Sequence, residues 1–170
     1  MTMREFHLQC RKNEFPAFKK VLAALPKDKL DYTPHERSQN AGRIIQTLVA
    51  ESKACLDLID TGELTFAGHG AVHPHAIAQE FEDEYDKLIE KVATMADADW
   101  EKPGQFLMNG HVVMQQPIGQ FLWMFFFDAI HHRGQLSTYI RPMGGKVPSI
   151  YGPSGDDPTM MSASHRRMQE

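Results

Sequence analysis

The stretch that decides the fold is Asp128-Ala129-Ile130-His131-His132-Arg133-Gly134-Gln135-Leu136, a polar segment inside the most apolar part of the chain. The seven residues before it, 121–127, are all apolar. Pro117 precedes this run and Pro142 follows the polar segment, which is typical of a helix start and stop. We predict a helix from Pro117 to about Arg141. Its first half is apolar nearly all round, so it must be buried on several sides.

Three further amphipathic segments precede this helix. Apolar residues recur at steps of three and four over Thr2–Leu25, Ser38–Asp60 and Pro74–Ala96, which predicts three helices, the second with Ser38 as its N-cap. Four helices of about 20 residues, joined by short and long loops, are typical of a four-helix bundle. The sequence therefore predicts an all-α protein with a single domain over residues 1–170.

The segments between the helices contain glycine and proline. We expect a loop over Thr65–Pro74 and a long connection over Trp100–Met114. Within that connection, Val112–Met114 forms a short strand or packs as an extended segment. From about residue 146 the chain has neither a helical nor a strand period, so we expect an extended C-terminal tail.

Composition narrows the functional classes. The 170 residues carry a formal net charge of −4, from 22 acidic and 18 basic residues, and no basic block, which is atypical of a nucleic-acid-binding protein. The longest dense apolar run has seven residues, far fewer than the roughly 20 that span a bilayer. Cys10 and Cys55 both lie among apolar neighbours in helical patterns, which favours two free thiols. We therefore expect a cytoplasmic protein that binds neither nucleic acid nor membrane.

The polar segment of the last helix contains a metal-ligand pattern. Asp128 and His132 are four residues apart, so their side chains project from one face of the helix. A carboxylate and an imidazole at that spacing can bind one metal ion. They can equally form a hydrogen bond that satisfies both groups beside the core, and spacing alone favours this second interpretation.

Two longer motifs carry a resemblance to a known family. The first is His131-His132-Arg133-Gly134-Gln135-Leu136 followed by the segment 141–152, and the second is Leu30-Asp31-Tyr32 with Pro34-His35. Together they resemble the DinB-like (YfiT-like) bundle proteins over nearly the whole chain. The resemblance implies a divalent metal ion between helices, typically held by one histidine of helix two and two of helix four. His132 matches the second of these two, and Asp128 stands where the first would be.

The helix-two ligand is where the chain departs from that pattern. The matching position falls near Gln46 and Thr47, where no histidine occurs. Glu51 lies one turn beyond Thr47 and could complete a Glu–Asp–His site. Such a set suits hard ions such as manganese, iron or magnesium better than zinc. The resemblance therefore implies a divalent ion (manganese, iron, nickel or zinc) or a degraded site that holds none. Gln46 and Thr47 are then candidates for contacts to substrate or to the ligands.

The remaining polar residues of the segment have structural and functional interpretations. His131 is predicted to be half-exposed, with a supporting role behind the ligands as the alternative. Arg133 is predicted to pair with an acidic residue of helix two or three, or to bind an anionic substrate group. We expect Gly134 to allow a close helix crossing and Gln135 to bond a loop backbone. His69, His73 and His111 lie in connections and could replace the missing histidine.

The candidate site residues and the resemblance are consistent with two functions. In the first, the protein is a metal-dependent enzyme, a transferase or hydrolase that acts on a small thiol or an electrophilic compound, as the resemblance implies. In the second, it is a non-catalytic bundle that binds a small ligand or dimerises, with a degraded metal site. The apolar surface of helix four, together with the family's habit, predicts a homodimer in either case.

Overall fold

Five helices account for most of the fold. The computed structural model describes residues 1–66 and 76–158. Within these residues the helices are α1 (Met3–Ala24), α2 (Ala41–Thr61), α3 (Ile77–Thr94), the one-turn α4 (Asp97–Trp100) and α5 (Ile118–Tyr139). Helix α2 packs against α3 and α5, and α1 packs against the same two helices. The prediction of a helical protein is confirmed in its coarser form, a mostly helical fold.

The strictly all-α class was wrong, because the structure contains a three-stranded sheet. Its strands are β1 (Glu63–Thr65), β2 (Pro103–Met108) and β3 (His111–Pro117), in the order β1-β2-β3. Strands β2 and β3 form an antiparallel hairpin, so the short-strand alternative for the long connection is the one observed. Its two-residue turn is Asn109-Gly110, with φ angles of 52° and 78°. This dipeptide is a strong hairpin signal because both central residues need positive φ.

Local chemistry explains the helix ends. The Thr2 side chain accepts a hydrogen bond from the backbone of Glu5, and the Glu5 carboxylate accepts one from the Thr2 backbone, which is a capping box. Helix α2 is capped by Asn40, whose side chain accepts from the Arg43 N–H at 2.8 Å, so the prediction of Ser38 as cap was two residues early. Gly62 ends α2 in the left-handed conformation at φ 78°.

The core consists of two adjoining apolar clusters. One joins α1, α2, α3 and the second half of α5, and includes Phe18, Phe81 and Tyr85. The other joins α2, α3, α4, the sheet and the first half of α5, and includes Phe121. A Cβ atom at Gly119 would lie 2.1 Å from two atoms of the buried Trp100 ring, so only glycine lets α5 pass the indole this closely.

A buried polar pair lies on the inner face of α1. His7 is fully buried and accepts a hydrogen bond from Arg11 Nε at 2.6 Å, and Arg11 also donates to the Leu122 carbonyl. Trp100 and Trp123 pack around the imidazole, and burial lowers the pKa of His7 to about 2. The neutral ring of His7 therefore belongs to the core.

The tail lacks helix and strand through residue 158, as predicted. It is held to the helices by polar contacts. Arg141 of the turn after α5 pairs with Asp156, and the Lys20 ammonium donates to the Ser149 carbonyl. Tyr151 contacts Arg133 of α5. None of the helices in the part of the chain that the structure describes is long and apolar enough to cross a membrane.

Candidate metal site

The packing of α2 on α5 brings three predicted side chains together. Glu51 comes from α2, and Asp128 and His132 come from successive turns of α5. One ligand atom from each of the three lies within 4.8 Å of the others. His132 Nε2 is 3.6 Å from Glu51 Oε1 and 3.6 Å from Asp128 Oδ2. The imidazole nitrogen therefore lies between two carboxylates on adjacent helices.

The site has a buried side and an open side. Glu51 is only 4% exposed, and its Oε2 atom has no hydrogen-bond partner among the described residues. Asp128 lies at the opening, with 47% of its side chain exposed. A buried carboxylate oxygen without a partner is costly, because it loses its hydration and gains nothing in return. The three side chains thus extend from a buried carboxylate on α2 to a partly exposed carboxylate on α5.

Gln135 orients the imidazole. His132 Nδ1 lies 2.9 Å from Gln135 Oε1, one turn further along α5. Since an amide oxygen only accepts, Nδ1 carries the proton and donates it. In the neutral ring this leaves the Nε2 lone pair directed at the carboxylates, which is the state that binds a metal ion. The expectation that Gln135 bonds a loop backbone was wrong, because it contacts His132 instead.

Glu51 and His132 hold their protons more tightly than they would in water, because both have raised pKa values. Burial raises the pKa of the Glu51 carboxyl to about 7, with the Asp128 carboxylate acting in the same direction. The hydrogen bond to Glu51 raises the pKa of His132 to about 9, against the opposing effect of burial. Without a metal ion, a proton is the cation that holds these groups together at neutral pH.

The donor set and its dimensions fit a divalent ion. Two ligand atoms that each lie about 2.1 Å from one ion are roughly 3.0 to 3.4 Å apart in octahedral or tetrahedral geometry. The two observed separations of 3.6 Å would need to shorten only slightly. The two carboxylates would neutralise the charge of the ion, with the imidazole as a third, uncharged ligand. Three protein ligands with an exposed side leave coordination positions open.

Two other residues predicted near the site have partners on their own helix. Gln46 Oε1 accepts from Arg43 at 3.3 Å, and the Thr47 hydroxyl donates to the Arg43 carbonyl. Neither is in the three-ligand group. His131 is exposed, with its ring centroid 5.5 Å from that of His132.

The structure gives Arg133 a different partner from the one predicted. Arg133 is 3% exposed and pairs with Glu14 of α1, not with an acidic residue of α2 or α3. It also donates to the Tyr151 hydroxyl, which in turn donates to the same Glu14 oxygen at 2.8 Å. The Phe18 ring covers one face of the guanidinium. These contacts make Arg133 a link between α5, α1 and the tail.

Of the three histidines proposed as substitutes, the structure describes His111 alone. His69 and His73 fall outside the described residues. His111 is exposed at the start of β3 and is not in the three-ligand group. Helix packing instead brings Glu51 to the pair on α5, so the helix-two position comes from a carboxylate one turn beyond Thr47.

The raised pKa of His132 predicts how the stability of the metal-free protein depends on pH. His132 keeps its proton up to about pH 9 in the folded state but only to about 6.5 in the unfolded chain. The folded state therefore binds more protons in that interval, and stability falls as the pH rises through it. Glu51, whose pKa rises from 4.5 to about 7, adds a fall in the same direction over its own interval.

We expect urea midpoints measured in EDTA to decrease from pH 6.5 to 9, and the decrease to be smaller in His132→Gln. A midpoint in the native chain that stays level or increases over this interval would contradict the assignment.

With this geometry defined, the comparisons with known proteins decide the family. The DinB family matches residues 8–168. The chain belongs to the DinB family. A relative, the uncharacterised protein YrdA of Bacillus subtilis (strain 168), is 26% identical over 145 residues, which is 85% of either chain.

Solved DinB-like structures share the fold. A DinB-like protein of Bacillus cereus matches with a TM-score of 0.70 at 21% identity, covering 86% of this chain and 97% of that one. The DinB-like protein YjoA of Bacillus subtilis matches with a TM-score of 0.65 at 14% identity, covering 82% and 93%. A mycothiol-dependent maleylpyruvate isomerase matches with a TM-score of 0.60 at 11% identity, covering 85% of this chain but 62% of that one. At these identities the likeness shows a common fold alone.

Proposed function

We propose that this DinB-family protein binds one divalent metal ion through Glu51, Asp128 and His132 and uses it to act on a small thiol or an electrophilic compound. The observation that carries the proposal is the convergence of the three candidate ligand atoms within 4.8 Å of one another. The burial of Glu51 supports it, since a cation bound to this carboxylate would offset the cost of burying its charge.

Each residue has a defined part in this proposal. Glu51 is the buried anchor, and Asp128 is the ligand at the opening. His132 binds through Nε2 while Gln135 accepts from Nδ1 and fixes the ring. When bound, the ion lowers the pKa of a thiol or water molecule and so supplies a nucleophile at neutral pH. The ligand set is oxygen-rich, which favours manganese or iron over nickel and zinc.

Membership in the family and the fold shared with a mycothiol-dependent isomerase support the choice of a small thiol or an electrophile. The transferase and hydrolase alternatives differ in whether the nucleophile is a thiol or water. The 47% exposure of the Asp128 side chain would admit either to the site.

The second candidate is a non-catalytic ligand-binding protein with a degraded site. It is favoured by the 3.6 Å separations of His132 from both carboxylates, because a protonated imidazole can satisfy these groups without a metal ion. The two candidates differ in whether the folded chain takes up an ion.

The deciding experiment is calorimetric titration of the metal-free, tag-free chain with Mn²⁺, Fe²⁺, Ni²⁺ and Zn²⁺ separately. We expect one ion per chain, an increase in melting temperature on binding, and release of protons, since the ligands must be deprotonated. If none of the four ions binds one-to-one, the metal-dependent enzyme is rejected and the second candidate remains.

A further inference from the structure

An aromatic side chain is exposed where the sheet ends beside the candidate metal site. Strand β1 packs on α2, and Ala54 of α2 is buried in the same apolar cluster as Leu64 of β1. Ala54 follows Glu51 by three residues, less than one turn of α2. The sheet therefore reaches to within about one turn of this ligand. Phe66 directly follows β1 and is 43% exposed.

The ring of Phe66 also contacts α5 next to Asp128. The centroids of the Phe66 and Phe125 rings are 5.7 Å apart. Phe125 precedes Asp128 by three residues, so the two side chains are neighbours on the helix surface. Together with Glu51, Phe125 lines a small internal cavity of about 10 Å³. A single side chain, that of Phe125, thus separates Phe66 from two of the candidate ligands.

Two neighbouring rings fix the orientation of Phe66. Phe106 of β2 lies 5.8 Å from it, centroid to centroid, with the ring planes 79° apart, and the angle to Phe125 is 65°. Edge-to-face pairs of this kind are a preferred aromatic arrangement. We call the three rings the aromatic wall. Phe125 is buried and Phe106 half-buried, so Phe66 provides most of its exposed surface. A surface that is already ordered binds an apolar group with little further loss of side-chain freedom.

The two directions along α5 from the candidate site differ in polarity. Toward the sheet, Met124 lies one turn before Asp128, is half-buried and packs against the apolar cluster below the sheet. In the other direction, the next turn carries Gln135, which contacts the His132 ring. An apolar group of a bound molecule is therefore accommodated on the sheet side of the ligands, where the aromatic wall lies.

We propose that the aromatic wall binds an aryl group of the substrate, with Phe66 as a specificity-determining residue. This inference rests on the proposed function, in which Glu51, Asp128 and His132 hold the ion. It narrows the substrate class, because a thiol or electrophile that carries an aryl group close to its reactive atom contacts Phe66, whereas a small polar one does not.

The expected preference follows from the area of the contact. A tenfold difference in affinity corresponds to about 1.4 kcal/mol. Burial of roughly 55 Å² of apolar surface supplies this at about 25 cal/mol per Å². A fully enclosed aromatic side chain buries roughly 150 Å² or more, so partial contact of an aryl group with Phe66 is sufficient.

The experiment is thiol binding to the chain loaded with Co²⁺, whose visible absorption changes when sulfur binds to the ion. The probes are benzyl mercaptan and 2-mercaptoethanol, of which only the first carries an aryl group. We expect the native chain to bind benzyl mercaptan at least about 10-fold more tightly. Phe66→Ala should lose most of this preference, and Phe66→Tyr, which keeps the ring, should retain it. Phe127→Ala is the matched control, since Phe127 is also exposed, at 62%, but lies about 100° around α5 from Asp128.

The outcomes separate this inference from the proposed function. Melting temperatures and Co²⁺ affinities of the variants distinguish loss of the aryl contact from loss of the fold or of the metal site. Equal affinities of the native chain for the two thiols, a comparison that needs no variant, would overturn the role of Phe66 and leave the metal site in place. Loss of the preference in Phe127→Ala to the same extent as in Phe66→Ala would do so too. A chain that takes up no Co²⁺ would reject the proposed function and this inference with it.

Discussion

Replacing His132 by alanine is expected to lower the affinity for a divalent ion at least 100-fold, whereas His131→Ala leaves it within about twofold. Loss of a residue that only orients a ligand already costs about 10- to 100-fold, so loss of a ligand atom costs more. His131 is the matched control because it is also a histidine and directly precedes His132 in the chain. It is exposed and points about 100° away around the helix.

The measurement is competition with a chromophoric chelator, supported by melting temperatures with and without the ion. Binding at 100 times the dissociation constant stabilises the folded state by about 2.7 kcal/mol, and His132→Ala should lose this increment. Glu51→Gln should behave similarly, because it keeps the shape of the side chain and removes the charge. Equal losses in His131→Ala and His132→Ala would show that the ion binds elsewhere.

Replacing Gly119 by alanine is expected to destabilise the fold by about 1 to 3 kcal/mol, the range typical of overpacking a buried contact. The new methyl group would lie 2.1 Å from the indole of Trp100, which is only 4% exposed and has little room to move. Displacing the ring would disturb the apolar cluster that joins α4, α5 and the sheet.

Gly134→Ala is the matched control, because both glycines belong to α5 but of the two only Gly119 has another side chain within 4 Å of its Cβ position. In protein dilute enough to be monomeric, this substitution should leave the free energy of unfolding unchanged or raise it by up to about 1 kcal/mol. The measurement is urea unfolding, with one slope of free energy against urea concentration fitted to both variants, and it compares their free energies of unfolding. Equal destabilisation by both substitutions would show that the close contact with Trp100 does not determine the effect.

The long helices were predictable because their signal is local. Apolar residues that recur every three or four positions locate each helix to within a few residues. Errors occur at the helix ends, since the N-cap of α2 is Asn40 and not Ser38. The hairpin was predictable in part. Val112–Met114 suggested a strand, and the Asn109-Gly110 turn is the local signal that could have indicated its partner strand. The pairing of β1 with β2 is a long-range contact that carries no local signal.

The candidate site was likewise predictable only in part. That Asp128 and His132 share a face follows from the helical repeat and needs no tertiary information. Which residue of α2 joins them could not be decided between Gln46, Thr47 and Glu51, because a rotation of α2 by one residue changes the side chain that faces α5.

The sequence by itself determined the four long helices, the polar pair one turn apart on the most apolar of them, and the free cysteines, since each depends on neighbours along the chain. Only the tertiary structure decided that Glu51 completes the three-ligand group and that Arg133 pairs with Glu14 of α1. It also decided that Gly119, and not Gly134, lies at a close contact within the chain. These outcomes depend on the rotation and relative height of packed helices, which the combined packing of many side chains sets and no single segment specifies.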